Sequence, residues 1–463
     1  MNAAGGRQAE MNHDRFDQIA SHFVALGMAP ADAASRAALF EQLESRSAPI
    51  LEGAAQWRRF TPGRIEIFGK HTDYAGGHSL LAAVPRGIAL EARRRDDGVV
   101  RVGDVFDGQV IEVDPSTEAP AHYRGLQRYV HVVAHRFFLN FPGCELGANI
   151  AIASDLPRAS GLSSSSALVV GVALALIDRA RLRERDEWQR HLRRIQDLAW
   201  YLGCVENGLD FPGLPGSAGV GTHGGSEDHT AILACKTDHV SLYRFVPVTP
   251  LAETRMPGDW IFVLAGSGVQ ADKAGSVMDR YNRASNGVRA LHRIWNEHAP
   301  EPAPSLADAL QRTPDAAEQL RSWLTATPDG AFTAEDLQRR LDHFIRETAR
   351  APMALAAFRD GDRDALGRLS DASQREAAEL LGNQIPQTIL MARLARELGA
   401  FAASSFGAGF GGSVWAAVPA TEAERFAKEW IGAYERTVPD VGPVPWTIAR
   451  PGPPATDLPV LQA

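Results

Sequence analysis

The eleven residues from Ala167 to Ile177, ALVVGVALALI, carry no polar side chain, and they constrain the fold more than any other stretch. A helix that is apolar on every side has to be enclosed by the rest of the protein. The run is too short to span a bilayer, so it predicts a buried core helix and not a membrane segment. A chain of 463 residues is long enough for two domains and more than one hydrophobic core. Met1 to Glu10 is polar and lacks the apolar stretch of a signal peptide. The formal net charge of −8 supplies no positive field for nucleic acid or anionic lipid, so an anionic ligand must be held by local groups. Cys144, Cys204 and Cys235 are too few and too scattered for a disulfide framework or a zinc site. A cytoplasmic protein with neither nucleic-acid nor membrane partners is expected.

Around the core helix, strand and helix patterns mix. Residues 13–47 are Ala-rich with helical spacing, predicting one or two exposed helices. Strand-like runs follow at Arg64–Phe68, Ile88–Ala92 and Val99–Val102, the last two separated by the turn Asp96-Asp97-Gly98. A helix is predicted over 125–138. It carries His131 and His135 four apart, yet no Glu follows the first His as a zinc helix requires, so both read as ordinary helix residues. Asn149–Ala153 reads as a strand and 186–205 as a second helix. The Gly- and Pro-rich stretch 211–225 must be a loop. Further strands are predicted at Thr230–Ala234, Val240–Phe245, Trp260–Ala265 and Ser413–Val418. Helices fill 277–397, interrupted at Ala299–Pro304, and another reaches Tyr434. This mixture without regular βαβ alternation predicts an α+β fold. The expected organisation is a helical extension (1–50), two domains (51–250 and 251–450) and a poorly ordered Pro-rich tail (451–463).

Three segments carry chemistry. In Pro157-Arg-Ala-Ser-Gly-Leu-Ser-Ser-Ser-Ser-Ala167, small residues allow a tight turn that brings N–H groups to a phosphate, and the helix behind directs its positive end at the same anion. It lacks the Gly-Lys-Ser/Thr of a P-loop. In Thr61-Pro-Gly-Arg-Ile-Glu-Ile-Phe-Gly-Lys-His-Thr-Asp-Tyr74, a strand ends in hydrogen-bonding side chains of types suited to a sugar. Ser404-Ser-Phe-Gly-Ala-Gly-Phe-Gly-Gly-Ser413 contains G-x-G-x-x-G, but a strand-like run follows it where a dinucleotide fold needs a helix.

In this order and spacing the three segments resemble the motifs of the galactokinase branch of the GHMP kinases. Those read approximately Pro-Gly-Arg-x-Asn-Leu-Ile-Gly-Glu-His-Thr-Asp-Tyr-x-x-Gly, Gly-Leu-Ser-Ser-Ser and Gly-Ala-Gly-Phe-Gly-Gly. The likeness runs from about residue 58 to 450. It implies a ribosomal protein S5-like N-terminal domain, a ferredoxin-like C-terminal domain, and a kinase that moves the γ-phosphate of ATP, with Mg²⁺, to a sugar hydroxyl, the anomeric one being expected; the sequence does not give the oligomeric state, a monomer being favoured. By the same resemblance Asp228, in Gly224-Gly-Ser-Glu-Asp-His229, is the catalytic base. Arg64 steadies transition-state charge and keeps that base ionised. Ala159, Ser160, Gly161, Leu162, Ser163, Ser164 and Ser165 wrap the ATP phosphates. Ser165 and Glu206 hold Mg²⁺, and Lys70, His71, Thr72, Asp73 and Tyr281 contact the sugar. Gly407 to Gly412 brace the site from the second domain.

Departures from the family pattern matter. The segment between Glu206 and Asp228 is longer, Glu227 stands where the family has Met, and His229 where it has Gln. Ala159 replaces a Gly, Glu66 an Asn, and Lys70 the Glu before His-Thr-Asp. Lys70 leaves two substrates open. Its cation pairs with the carboxylate of a sugar acid such as galacturonate, or it turns outward or pairs with Glu66 and the sugar is neutral. Two other readings stand beside the kinase. A non-catalytic sensor of this fold loses catalysis through a shortened Ser loop, which is intact here. Homoserine or mevalonate phosphorylation belongs to branches that lack the His-Thr-Asp-Tyr cluster.

Overall fold

In a computed structural model the described residues are 15–157, 161–269, 276–325, 327 and 330–460. The first half contains α1 (15–25), α2 (Pro30–Leu51), β1 (Trp57–Phe68), β2 (His78–Arg94), β3 (Val100–Asp104), β4 (Val110–Val113), α3 (Gly125–Asn140), β5 (Ala148–Ser154) and α4 (Ser164–Arg179). After these come α5 (Asp186–His191), α6 (Ile195–Asn207), α7 (Glu227–Ala234), β6 (His239–Arg244) and β7 (Thr249–Arg255). The second half adds β8 (Trp260–Gly266), α8 (Ser276–His298), α9 (Leu306–Leu310), α10 (Ala316–Ser322), α11 (Ala334–Asp360), α12 (Arg363–Glu376) and α13 (Pro386–Glu397). It ends with β9 (Ala402–Phe406), β10 (Ser413–Pro419), α14 (Ala423–Thr437), β11 (Trp446–Ala449) and β12 (Thr456–Leu458).

Strand order in the first sheet is β12-β1-β2-β5-β3-β4, with β6 and β7 continuing from the other end of β2. The core helix α4 lies where its composition demands: Val169, Val170, Val172, Ala173, Leu176 and Ile177 are fully buried against the sheet, α3 and α6. The second sheet runs β11-β8-β10-β9, all antiparallel. Strand, helices, two strands, helix, strand in that spatial order is the split-βαβ, ferredoxin-like pattern, so the mixed α+β class and the two-part architecture hold. The parts share a core. Phe68 of β1 meets Trp415 of β10 edge to face at 6.1 Å, and α11 packs against β2 as well as against α12.

Several local expectations are overturned. Helices α1 and α2 are not exposed: Ile19, Phe23, Phe40 and Leu43 are completely buried against Phe60, Ala89, Ala151 and Ala153 on the face of the sheet away from α4. Thr230–Ala234 is the end of helix α7 and not a strand. A short apolar run does not distinguish the two, while Glu227 and Asp228 in the first turn suit a helix N-terminus. The helix predicted over 186–205 breaks into α5 and α6, where Asp197 Oδ2 accepts the N–H of Arg194 at 2.9 Å. The Pro-rich tail is ordered through residue 460. Residues 456–458 add a strand to the edge of β1, and Gly452 N donates to Ala83 O at 2.8 Å.

Candidate active site

Where the two halves meet, a cavity of about 1230 Å³ is walled by the end of β1 and the turn after it, the start of α3, the loop into α4, the end of α6, residues 220–229, Tyr281 of α8 and the Gly-rich loop after β9. It exceeds the usual volume of a single small-ligand pocket, as a site for a nucleotide plus a second substrate must.

One wall is the N-terminus of α4. Gly161 and Ser163 to Ser166 line the cavity, and Ser163 holds a left-handed backbone at φ 58°. His71, also on the cavity wall, does the same at φ 56°. Non-glycine residues rarely adopt this conformation, and where they do the surrounding structure has to enforce it, as at binding sites. Gly63 explains the Pro-Gly-Arg motif: a Cβ there would lie 2.6 Å from the carbonyl oxygen of Leu162, which accepts the N–H of Arg64. The strand and the Ser-rich loop touch only because that residue is glycine.

The Arg64 side chain then connects the two motifs. Its Nε donates to Asp228 Oδ1 at 2.6 Å and its Nη1 to Gly161 O at 2.5 Å, with Glu227 Oε1 4.0 Å from Nη2. Burial opposes the guanidinium charge, but Asp228, Glu227 and Glu66 outweigh it and hold its pKa above the ordinary value. Asp228 sits in the first turn of α7 and lines the cavity. Its Oδ2 is 3.3 Å from Ser166 Oγ, which donates to Glu206 Oε2 at 2.9 Å. His229 Nε2 is 2.9 Å from the same Glu206 oxygen.

On the opposite wall Asp73 Oδ2 accepts the N–H of Glu227 at 3.0 Å, and burial raises its pKa to about 6. His71 Nε2 lies 3.1 Å from Ala408 O, an acceptor only, so a neutral ring carries its proton there and receives the Tyr74 hydroxyl at Nδ1, 3.0 Å away. Arg340 of α11 fixes this turn by donating to His71 O at 2.5 Å and to the Tyr74 hydroxyl at 3.1 Å. The Tyr281 ring lies 5.3 Å from the His71 ring. Glu66 accepts the N–H of Gly407 at 2.9 Å, and burial raises its carboxyl to about 7.

Of the residues singled out from sequence, Asp228, Arg64, His71, Asp73, Tyr281, Gly161, Ser163, Ser164, Ser165 and Glu206 all face the cavity. Ala159 and Ser160 lie outside the described residues. Leu162 is buried in the core and reaches the site through its backbone only. Thr72 is fully buried, its Oγ1 within 2.9 Å of the carbonyls of both Gly69 and His78, so it shapes the turn and does not face the cavity.

Lys70 also does not face the cavity, which removes the ground for a sugar acid. Its Nζ donates to Ser373 Oγ at 2.8 Å and Ser404 Oγ at 3.0 Å, 4.0 Å from Glu347 Oε1, with only 1% of the side chain exposed. Neither outward placement nor a Glu66 pair describes it. Gly69 and His71 turn the chain so that residue 70 points back into the seam between the halves. The hydroxyl set against Glu206 is that of Ser166, one residue beyond Ser165, because neighbours on a helix point about 100° apart.

Residues the sequence reading passed over include Ser166, Arg340 and the pair Arg124 and Arg128, which line the cavity at the start of α3. Two arginines four apart at a helix start, on an otherwise acidic chain, were the available signal for the last two. His131 and His135 instead sit within 2.8 Å of the carbonyls of Thr117 and Pro115.

Comparison with known proteins agrees with this geometry. Residues 53–94 match the galactokinase galactose-binding signature, 128–197 the N-terminal domain of GHMP kinases and 354–436 their C-terminal domain. The chain is 29% identical over 394 residues to a galactokinase of Exiguobacterium sibiricum, covering 82% of this chain and 89% of that one. It is 29% identical over 371 residues to a galactokinase of Streptomyces coelicolor, covering 79% and 86%. The crystal structure of Lactococcus lactis galactokinase complexed with galactose superposes with a TM-score of 0.73 at 22% identity, over 91% of this chain and 100% of that one, which shows the shared fold. Among the described residues no helix is long and apolar enough to cross a membrane. With its three motifs gathered around one cavity and the galactokinase signature and both GHMP kinase domains matched, this chain is a sugar kinase of the galactokinase type.

Proposed function

We propose that this enzyme transfers the γ-phosphate of ATP to the anomeric hydroxyl of galactose or a closely related neutral sugar, with Asp228 as the base. The observation that carries this reading is the Arg64–Asp228 pair, held at 2.6 Å between the N-terminus of α4 and the Asp73–His71 wall. A carboxylate in that position accepts the sugar proton while the hydroxyl attacks phosphorus. Arg64 keeps the carboxylate ionised by donating to the oxygen that does not face Ser166. The backbone N–H groups and dipole of α4 hold the phosphates, and Asp73, His71 and Tyr281 orient the sugar.

The donor set beside Asp228 suits Mg²⁺. Glu206 and the hydroxyl of Ser166 or Ser165 supply only oxygen, which a hard cation prefers. Among the described residues no group of three or more His, Cys, Asp or Glu side chains encloses a metal. Bound Mg²⁺ would neutralise charge on the transferring phosphoryl group. We place the enzyme in the cytoplasm, where its free cysteines, Cys204 and Cys235 buried and Cys144 half-buried, remain reduced.

The test is ADP release from ATP and Mg²⁺ in the presence of galactose or galacturonate, with the product's phosphate located by NMR. Galactose-dependent release with phosphate at C1 is expected. Sugar binding without ADP release would make the chain a sensor, and faster turnover of the acid would restore the charged-substrate reading.

A further inference from the structure

We infer that the long segment ahead of the base is a strap that sets Asp228 and Tyr281 relative to each other, with Asn207 and Asn282 as its positioning residues. The inference rests on the kinase reading above.

Five residues near the end of that segment, Gly221 to Gly225, run between α6 of the first half and α8 of the second, and an asparagine grips them from each side. From α6, Asn207 Oδ1 accepts the Gly224 N–H at 2.7 Å and the Thr222 hydroxyl at 2.9 Å, while its Nδ2 donates to Gly203 O at 2.9 Å and Gly225 O at 3.2 Å. From α8, Asn282 Oδ1 accepts the His223 N–H at 2.8 Å and its Nδ2 donates to Gly221 O at 3.0 Å. One turn on, Asn286 Oδ1 is 3.0 Å from His223 Nδ1. Both amides therefore use their donor and acceptor ends on the strap, which fixes its distance and its rotation together.

What the strap connects gives it a role. It leads through Ser226 and Glu227 into Asp228, and Asn282 follows Tyr281 in the chain. Gly224 is in contact with the tyrosine itself: a Cβ there would lie 2.7 Å from the Tyr281 hydroxyl and 3.1 Å from Asn207 Oδ1. The base comes from the first half of the chain and the tyrosine from the second. A shift of one against the other by a fraction of an ångström would misalign a sugar touched by both.

The experiment measures initial rates over galactose and ATP titrations for Asn282→Ala, Asn282→Asp and Gly224→Ala, the last in both wild-type and Tyr281→Phe backgrounds, with Tm recorded for each. Loss of the Asn282 amide should raise the galactose KM about three- to tenfold and leave the ATP KM unmoved. Asn282→Asp, which keeps the acceptor for His223, should fall between. Gly224→Ala should raise the galactose KM in the wild-type background and by less once the Tyr281 hydroxyl is gone. Variants that lower Tm and kcat without changing galactose KM relative to ATP KM would overturn the inference and leave the kinase reading standing. So would an effect of Gly224→Ala undiminished by Tyr281→Phe. A wild-type enzyme without galactose-dependent ADP release would overturn both.

Discussion

Two clusters of buried charge lie side by side at the seam of this protein, and they differ in one respect. Behind the turn that follows β1, Glu347 is surrounded by donors. Lys70 Nζ lies 4.0 Å away, Arg350 Nη1 2.9 Å, Ser373 Oγ 2.9 Å and the Gly69 N–H 3.0 Å. Burial works against its charge, yet Lys70, His343 and Arg350 hold its pKa down to about 2. On the cavity side, Arg64 faces Glu66, Glu227 and Asp228, with Lys70 as a further cation near Glu66 and Asp73 beyond. There burial prevails: Glu66 is raised to about 7, Asp73 to about 6, and Glu227 well above the carboxylate range. The paired cluster joins two halves of a fold. The acid-rich cluster gathers more carboxyls than cations, and perturbed carboxyls in a cleft mark a place where ligands and protons complete the balance.

The contrast can be broken at its sharpest point with Asp228→Asn, which removes the ionised carboxylate and leaves the volume. Turnover should fall about 10²- to 10⁴-fold with ATP binding nearly intact, read by single-turnover kinetics beside nucleotide titration. A variant retaining more than about a tenth of the wild-type rate would reassign the base.

On the paired side, Glu347→Gln should destabilise the fold by about 3–5 kcal/mol, because Lys70 is left buried without its nearest carboxylate and Arg350 keeps only Glu376. Adding Lys70→Met should restore part of that loss in chemical denaturation. The double variant should leave the galactose-to-galacturonate preference unmoved. A change of about tenfold, the size a direct charge-assisted contact produces, would show that Lys70 reads the substrate after all.

Between these, Ser166→Ala should raise the Mg²⁺ concentration for half-maximal rate by about tenfold or more and exceed the effect of Ser165→Ala. The reverse order would return the metal hydroxyl to Ser165.

The smallest effect expected is on the pH profile of stability. The raised Glu66 carboxyl keeps its proton in the folded state, so stability should decline as pH rises from its ordinary 4.5 through about 7. Glu66→Gln should flatten that stretch of a Tm–pH curve. The depressed Glu347 carboxyl works in the other direction, contributing stability above 4.5 that is lost as pH falls toward about 2. A Glu66→Gln curve parallel to wild type between pH 4.5 and 7 would mean that the neighbouring acids carry the proton instead.

What was legible in the sequence was whatever depended on backbone. Glycines and serines at fixed intervals announced the tight, cavity-lining loop ahead of α4, the G-x-G-x-x-G before a strand excluded a dinucleotide fold, and α4 announced its burial by having no polar side. The misreadings concern direction. Whether Lys70 faces the cavity or the seam is decided by the left-handed turn at His71, and which serine meets Glu206 by a single helical step. Neither leaves a mark in composition. Thr230–Ala234 failed for a related reason, since five residues are fewer than two helical turns and show no period. The Ala-rich start of the chain concealed its buried face because alanine suits either environment, and the contacts are made by a few large residues such as Phe23 and Phe40.

The strand at residues 456–458 has a consequence for the order in which the molecule can be finished. It lies on the open edge of β1, places Leu458 in the same apolar layer as α1 and α2, and sets Asp457 beside Arg59. During synthesis everything else in that first sheet leaves the ribosome well before its outermost member does. Until then the nascent chain presents an unpaired rim of N–H and C=O groups to its neighbours, the kind of rim that invites association. Residues 456–458 thus act as a seal on a layer whose other members come far earlier in the chain. A chain cut before Thr456 would keep every residue of the active site and still lack that closure.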